Sequence, residues 1–380
     1  MNQEKSLLDR VRQVDSMKLT PIVRKALNDD QLELDQWQWT AMDGAADGSY
    51  DSAVYRFHGT LQSDRRSWSL ILKSIRAHPD QVSSASRYWK LEYEVYQSGW
   101  LNTLKDSNLI APVCYLAEDY PGECCWLWLE DVNDGQPRPW PLERFALAAK
   151  HLGQFNGMLL AQEPLPVYPW LRNDWLSQEV ASVGIYVDDL HKKSEHPLSD
   201  RLLSAERCKK FRQLWAEREM FLTALNRLPQ TVSHLDSFSR NLYDKDGKTI
   251  LIDWQLTGMA AVGVDLSQII SGTLAFNDLS VHQARALEPM LIERYLEGLR
   301  DVGWRGDPQS VRLGYTAYAS LHNLVRMLRV QNALKYESGQ KLLQSKGGHP
   351  IDRHIDQWIE MFEFFDDLAD EARQLISAWN

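Results

Sequence analysis

The sequence predicts an α+β chain in two lobes, an N-terminal antiparallel-sheet lobe and a larger, mainly helical C-terminal lobe. Three observations lead there. Over residues 37–75 the chain runs in short alternating stretches separated by a polar turn, such as Ala53-Val54-Tyr55-Arg56-Phe57 and Trp68-Ser69-Leu70-Ile71-Leu72-Lys73, the pattern of antiparallel strands. Beyond residue 140 the apolar period is mostly that of helices. Between these regions, Asn133-Asp134-Gly135-Gln136-Pro137-Arg138-Pro139 concentrates turn formers. That places a hinge there and the lobes at 1–132 and 133–380.

The elements follow in order. Residues 1–35 read as one or two polar leading helices, and 82–100 as a helix after the first strands. Val113-Cys114-Tyr115-Leu116 and Cys125-Trp126-Leu127-Trp128-Leu129-Glu130 are further strands. A five-stranded antiparallel sheet with one major helix is therefore expected in the first lobe. Helices are expected over 141–162, 200–227, 279–302, 308–336 and 351–378. One island interrupts them: Thr249-Ile250-Leu251-Ile252-Asp253-Trp254, a short strand behind the turn Asp246-Gly247.

Composition bounds the function. Of 380 residues, 44% are hydrophobic and 25% charged, which allows ordinary globular cores. The net charge of −10 argues against nucleic acid, whose binders carry a basic face, and leans towards neutral or cationic small substrates. The four cysteines, Cys114, Cys124, Cys125 and Cys208, have no metal-ligand spacing and read as free thiols of a reducing compartment. The first residues lack a basic start followed by an apolar stretch, and no apolar run reaches the roughly 20 residues that span a bilayer. The expectation is a soluble, cytoplasmic protein with neither membrane nor nucleic acid as partner.

The chemistry concentrates in Ser233-His234-Leu235-Asp236-Ser237-Phe238-Ser239-Arg240-Asn241. Phosphoryl transfer needs a group that orients an acceptor hydroxyl and takes its proton, and Asp236 can do both. It also needs a divalent cation against the phosphate charge; Asn241 offers a hard oxygen, and the Asp253 carboxylate, at the end of an apolar run, can bridge cation and phosphates. Each residue has a plainer reading as a cap or turn former. The spacing of all of them together favours the chemical one.

On these residues the chain resembles the aminoglycoside phosphotransferase and choline kinase-like superfamily, whose fold is similar to that of protein kinases. The matched positions are His234, Asp236, Asn241, Asp253, Gly258 and Gly263-x-Asp265-Leu266. The likeness is sharp over 231–268 and looser elsewhere. It implies a bilobal kinase-like fold, with ATP and Mg²⁺ as cofactors and a small hydroxylated acceptor as the other partner. Asp236 then corresponds to the catalytic residue, Asn241 and Asp253 to metal ligands, and His234 and Asp265 to supports of the catalytic loop. Nucleotide contacts are implied for Lys73, its helix partner Glu92 (with Glu94 as rival), Gly48 and Ser49 in a covering turn with Gly44 nearby, and Glu130 within the linker Leu129-Glu130-Asp131.

The chain departs from the resembled pattern in places. Leu235 stands where many relatives carry Gly, Asn156 where many carry His, and the loop near Gly48 is not a full G-x-G-x-x-G. The function expected is transfer of the γ-phosphoryl group to a hydroxyl of an aminoglycoside or other antibiotic, an amino alcohol or a sugar. A nucleotide-binding pseudokinase acting through a partner is the alternative. A metal-dependent phosphohydrolase would leave Lys73 unexplained, and a protein kinase would carry Asp-Phe-Gly where Asp253-Trp254-Gln255 stands. Acceptor-site walls are expected from 140–200 and the last hundred residues, with Trp170, Trp175 and Tyr186 as candidates that are otherwise core aromatics.

Overall fold

The computed structural model describes residues 2–42, 52–78, 81, 87–132, 140–160, 167–191, 197–347 and 350–379. The chain forms two compact units. The first holds Met1–Asp106, Ile110–Asp134 and Ile250–Gln255; the second holds Ser107–Leu109, Gly135–Thr249 and Leu256–Asn380. The segment carrying Asp253 thus belongs to the sheet-bearing unit.

The first unit opens with α1 (Asn2–Arg12) and α2 (Ser16–Leu27), the latter capped by the Asp15 side chain on Lys18 N–H. Strands β1 (Leu34–Ala41), β2 (Ser52–Leu61) and β3 (Ser67–Arg76) follow, then helix α3 (Leu91–Gln97); the two-residue strand β4 (Leu109–Ile110) has its first residue in the second unit and its last in the first. Strands β5 (Cys114–Tyr120) and β6 (Cys124–Glu130) complete a five-stranded antiparallel sheet of order β1-β2-β3-β6-β5. Strand alternation divides its apolar residues between two cores. Leu70, Leu72, Trp126 and Trp128 pack with Leu19, Ile22 and Val23 of α2, whereas Ile75, Leu127 and Leu129 pack with Tyr93 and Tyr96 of α3.

The helix expected over 82–100 is shorter than the sequence pattern suggested. Residues 87–90 form a turn, α3 starts at Leu91, and Gly99 at φ +72° diverts the chain into a 3-10 turn at Trp100–Leu104. The proposed hinge at 133–139, together with Gly44, Gly48 and Ser49, lies outside the described residues.

The second unit is mainly helical. It contains α4 (Leu142–Leu160), α5 (Trp175–Ser182), the short α6 (Gly184–Val187) and α7 (Pro197–Leu202), and α8 (Ala205–Arg227). The expected helix over 200–227 is broken at Leu203-Ser204, where the Ser204 hydroxyl caps α8 by accepting from Arg207 N–H. Strand β7 (Gln230–Ser233) comes next. The turn Asp246-Gly247, both residues at positive φ, then links β8 (Leu242–Lys245) to β9 (Lys248–Leu251). Strand β10 (Gly258–Ala261) pairs antiparallel with β7, setting Gly258 opposite Ser233. The remaining helices are α9 (Val264–Ala275), α10 (Val281–Asp301), α11 (Pro308–Leu334), α12 (Glu337–Gly347) and α13 (Ile351–Trp379). Together, the sheet lobe and the larger helical lobe form the architecture of a bilobal kinase-like fold.

Helices α4 and α10 meet backbone to backbone. A Cβ on Gly153 would stand 2.1 Å from Tyr295 O, and one on Gly298 2.0 Å from Lys150 O, so only glycine fits either position. This contact fixes where Asn156 of α4 and Tyr295 of α10 project.

Candidate active site

In the first unit, β3 aims Lys73 towards the α3 side of the sheet. Its Nζ lies 2.5 Å from Glu92 Oε2 and donates to Asp253 Oδ1 at 2.6 Å. Glu92 also accepts from the Trp254 backbone N–H at 3.1 Å, and the Trp254 ring, itself buried, stands edge-on to Trp100. Burial works against the Lys73 ammonium, but the Asp253 and Glu92 carboxylates outweigh it and hold its pKa above that of an ordinary lysine. Burial, helped by the nearby Asp253 charge, pushes the Glu92 carboxyl up in spite of Lys73. One ammonium thus serves two carboxylates. Glu94, the rival partner, instead accepts from the Tyr88 hydroxyl at 3.0 Å. Asp253 has φ +68°, a conformation that a non-glycine residue holds only at a cost of order 1–3 kcal/mol and that collects at functional sites.

At the end of β6, Glu130 Oε2 accepts from the Val113 backbone N–H, while the adjacent Asp131 pairs with Arg56 at 2.8 Å. Both side chains are therefore engaged within the unit, as is the Glu130 backbone N–H, which donates to Val113 O at 2.9 Å.

In the second unit, β7 delivers His234, Leu235 and Asp236 into a tight loop. Asp265, fully buried at the start of α9, holds that loop: Oδ2 accepts from His234 N–H at 3.0 Å and Oδ1 from Leu235 N–H at 2.8 Å. The Ser237 hydroxyl donates to Asp265 O. Burial raises the Asp265 carboxyl, and the donors from Leu235, Asn156 and His234 pull it back. His234 Nδ1 accepts from Asp236 N–H at 3.3 Å. Asn241 Nδ2 donates to Asp236 O at 2.9 Å and to Asp236 Oδ2 at 3.1 Å. These two acceptors fix the amide's orientation, so the atom Asn241 can offer a cation is Oδ1.

Leu235 has φ +65°. This explains the glycine common in the resembled family, because the loop needs the left-handed region there. The conformation costs Leu235 about 1–2 kcal/mol. Burial of its side chain, 2% exposed, returns about 1.5–3 kcal/mol and makes the exchange tolerable.

Several residues around this loop carried no assigned role in the sequence reading. Asn156, where relatives have His, donates to Val232 O at 3.0 Å and Asp265 Oδ2 at 3.1 Å and accepts from the Tyr295 hydroxyl at 2.7 Å. On α11, Tyr318, His322 and Arg326 repeat every fourth residue and face α9. Gln268 Nε2 donates to the Tyr318 hydroxyl and to His322 Nδ1, and Arg326 Nη1 donates to Ser271 O at 2.8 Å. A polar Arg inside a long helix gives no sequence signal of such a place. Of the acceptor-wall candidates, Trp170 is buried and stacks on Tyr168, Trp175 is buried against Tyr318 and His322, and Tyr186 is half-buried.

Among the described residues no cluster of three or more His, Cys, Asp or Glu side chains is placed to hold a metal. No described helix is long and apolar enough to cross a membrane. Neither protein-family models nor curated proteins match the sequence. Solved structures do match in fold. A choline kinase from Cryptosporidium parvum aligns with TM-score 0.56 and 10% identity over 96% of this chain and 99% of its own. A spectinomycin phosphotransferase solved with ADP and spectinomycin gives 0.55 and 14% over 94% and 99%. An amicoumacin kinase solved with AMP-PNP, Ca²⁺ and Ami gives 0.53 and 14% over 90% and 96%. Over most of its length the chain thus shares its fold with these three structures.

Proposed function

We propose that this chain is an ATP-dependent phosphotransferase that moves the γ-phosphoryl group onto a hydroxyl of a small molecule. The observation that carries the reading is the buried Lys73 shared by Glu92 and Asp253. A single buried ammonium between two carboxylates is an expensive arrangement for stability alone, since each buried ion loses several kcal/mol of hydration. It suits a site where Lys73 passes from Asp253 to nucleotide phosphates while Glu92 keeps it in place. Asp253 would then be released to the metal.

Asp236 is the residue we assign to the acceptor hydroxyl, which it orients and deprotonates. Asn241 would hold it still through Nδ2 and present Oδ1 to Mg²⁺, with Asp253 as the second protein ligand. Both are hard oxygen donors of the kind Mg²⁺ takes alongside phosphates and water. The bound cation would neutralise charge on the transferring phosphate. His234 and Asp265 are positioning residues for the loop. Glu130 would contribute to nucleotide binding through the backbone of its linker, and Gly48 and Ser49 through the covering turn. The names of the three similar structures support the reaction class; they do not select an acceptor.

The test is a screen of hydroxylated compounds with ATP and Mg²⁺, read by mass spectrometry for the gain of one phosphate, beside ATP binding by calorimetry. Phosphorylated product from the wild-type chain is expected. ATP binding with no product from any acceptor class would favour the pseudokinase reading, and phosphate release without acceptor would favour a hydrolase.

A further inference from the structure

We infer that the second unit holds a ligand site apart from the Asp236 loop: a cavity between α8, α11 and α13 that takes a neutral molecule of one aromatic ring carrying an amide or a hydroxyl. The site stands whether or not the chain is a phosphotransferase.

The cavity has a volume of about 140 Å³. Phe211 and Leu214 of α8, Leu324 of α11, and Phe362 and Phe365 of α13 are all buried and give it an apolar lining. The α8 pair and the α13 pair are each spaced by three, so each stands on one helix face. A cavity of roughly 150 Å³ lined by Leu, Ile and Phe takes one benzene. The volume here therefore suits a single ring and excludes a nucleotide. The rings of Phe211 and Phe362 meet with centroids 4.5 Å apart at 55°. A ligand ring beside them gains further tilted or edge-on contact.

One part of the wall is polar. Asn323 of α11 lines the cavity and is 3% exposed; its Oδ1 is buried, and among the described residues no donor reaches it. Ser320, on the same helix, already gives its hydroxyl proton to Thr316 O. A buried carboxamide oxygen left unpaired is destabilising. Water is a poor remedy, because a buried water needs about two to four polar partners and most of this lining is aliphatic or aromatic. An amide or a hydroxyl both donates and accepts, so it pairs with the Asn323 carboxamide in either orientation of that group. Its ring then displaces water from the phenylalanines.

The surrounding charges select a neutral ligand. At the mouth, Lys210 pairs with Asp366, and Arg207 lies over the Phe362 ring while donating to Leu202 O. Glu206 and Glu363 are exposed, and the buried lining residues carry no charge. A charged ring would lose its hydration there without a counter-ion. The cavity is also distinct from the reacting loop. Two residues along an α-helix turn through about 200°. Ser320 and Leu324 therefore stand across α11 from Tyr318 and His322, which meet Gln268 of α9.

The test titrates the full chain with phenol, benzamide, toluene, benzoate and benzylamine, read by ligand-observed NMR and by thermal shift. The proteins are the wild type, Asn323→Leu, Ala369→Leu and Asp236→Asn. Asn323→Leu should fold, since it removes an unpaired polar group from the interior. Ala369→Leu adds bulk to a buried wall residue of the cavity. In the wild type, phenol and benzamide should bind with Kd of about 0.1–1 mM, and the two charged rings about tenfold more weakly. Asn323→Leu should lower the ratio of phenol to toluene affinity about three- to thirtyfold. Ala369→Leu should abolish binding of every ring, and Asp236→Asn should leave it unchanged. An absence of phenol and benzamide binding at millimolar concentration would overturn the site. So would an unchanged ratio in Asn323→Leu, tighter binding of a charged ring than of benzamide, or loss of binding in Asp236→Asn. Should Ala369→Leu fail to fold, the ratio in Asn323→Leu decides alone.

Discussion

Asn156 Nδ2 donates to Asp265 Oδ2 at 3.1 Å, so a buried amide on one helix holds the carboxylate that in turn holds the His234–Asp236 loop. Asn156→Ala would leave Asp265, Val232 O and the Tyr295 hydroxyl each short of a partner in the interior. Each such loss costs about 1–3 kcal/mol, so a total of roughly 3–4 kcal/mol is expected after relaxation. Urea unfolding measures it; a loss below about 1 kcal/mol would remove Asn156 from the loop's support.

Asp236→Asn keeps volume and most hydrogen bonds but cannot accept the acceptor's proton. Turnover should fall about 10²–10⁴-fold. ATP binding and folding should persist, because Asp236 is assigned to the acceptor. Calorimetry and product mass on the same two proteins check this, and equal product from both would take Asp236 out of the mechanism.

Asp253→Ala should abolish turnover and weaken binding of the Mg²⁺–nucleotide complex. It should not unfold the chain, since Lys73 and Glu92 then remain as a one-to-one buried pair. Undiminished activity, or a collapse of the melting temperature, would reject that assignment.

His151 gives a pH signature. It is buried, 2.9 Å from the Thr249 hydroxyl, and burial, with Arg144 and Lys150 nearby, lowers its pKa to about 4 from 6.5. The folded state therefore disfavours the charged ring. Above pH 6.5 the ring is neutral folded or unfolded and stability is intact. As pH falls from 6.5 towards 4 the unfolded chain takes up the proton first, and roughly 2–3 kcal/mol is lost. His151→Gln should flatten that part of the stability–pH curve; an unchanged slope would assign it to other groups.

The local part of the site was readable in sequence because it is local. Asp236 and Asn241 are five residues apart, and a loop short enough to join them leaves few geometries. Lys73 was singled out only through the family resemblance, and choosing Glu92 over Glu94 as its partner required knowing which side of α3 meets the sheet, since the two residues fall near each other on a short helix. The five-stranded sheet followed from its alternation. Helix α9 was not anticipated, for a physical reason: every residue from Val264 to Leu274 is buried, so it has no wet face and no amphipathic period to detect. Arg326 and Arg329 lie three residues apart in one apolar helix and look alike in sequence. Only the packing of α11 shows that Arg329 meets Glu179 and Arg326 does not.

The glycine contact between α4 and α10 has a consequence for time rather than for shape. At the two crossings, Gly153 against Tyr295 O and Gly298 against Lys150 O, backbone meets backbone with no side chain between them to change rotamer and let the helices slide. Small fluctuations cannot expose the amides of residues 150–154 and 295–299, and deuterium should enter them only when the whole unit opens. These segments should be the slowest-exchanging in the chain. If so, the base beneath the Asp236 loop is a fixed bearing, and its exchange should slow when nucleotide binds, by as much as binding stabilises the folded unit against opening.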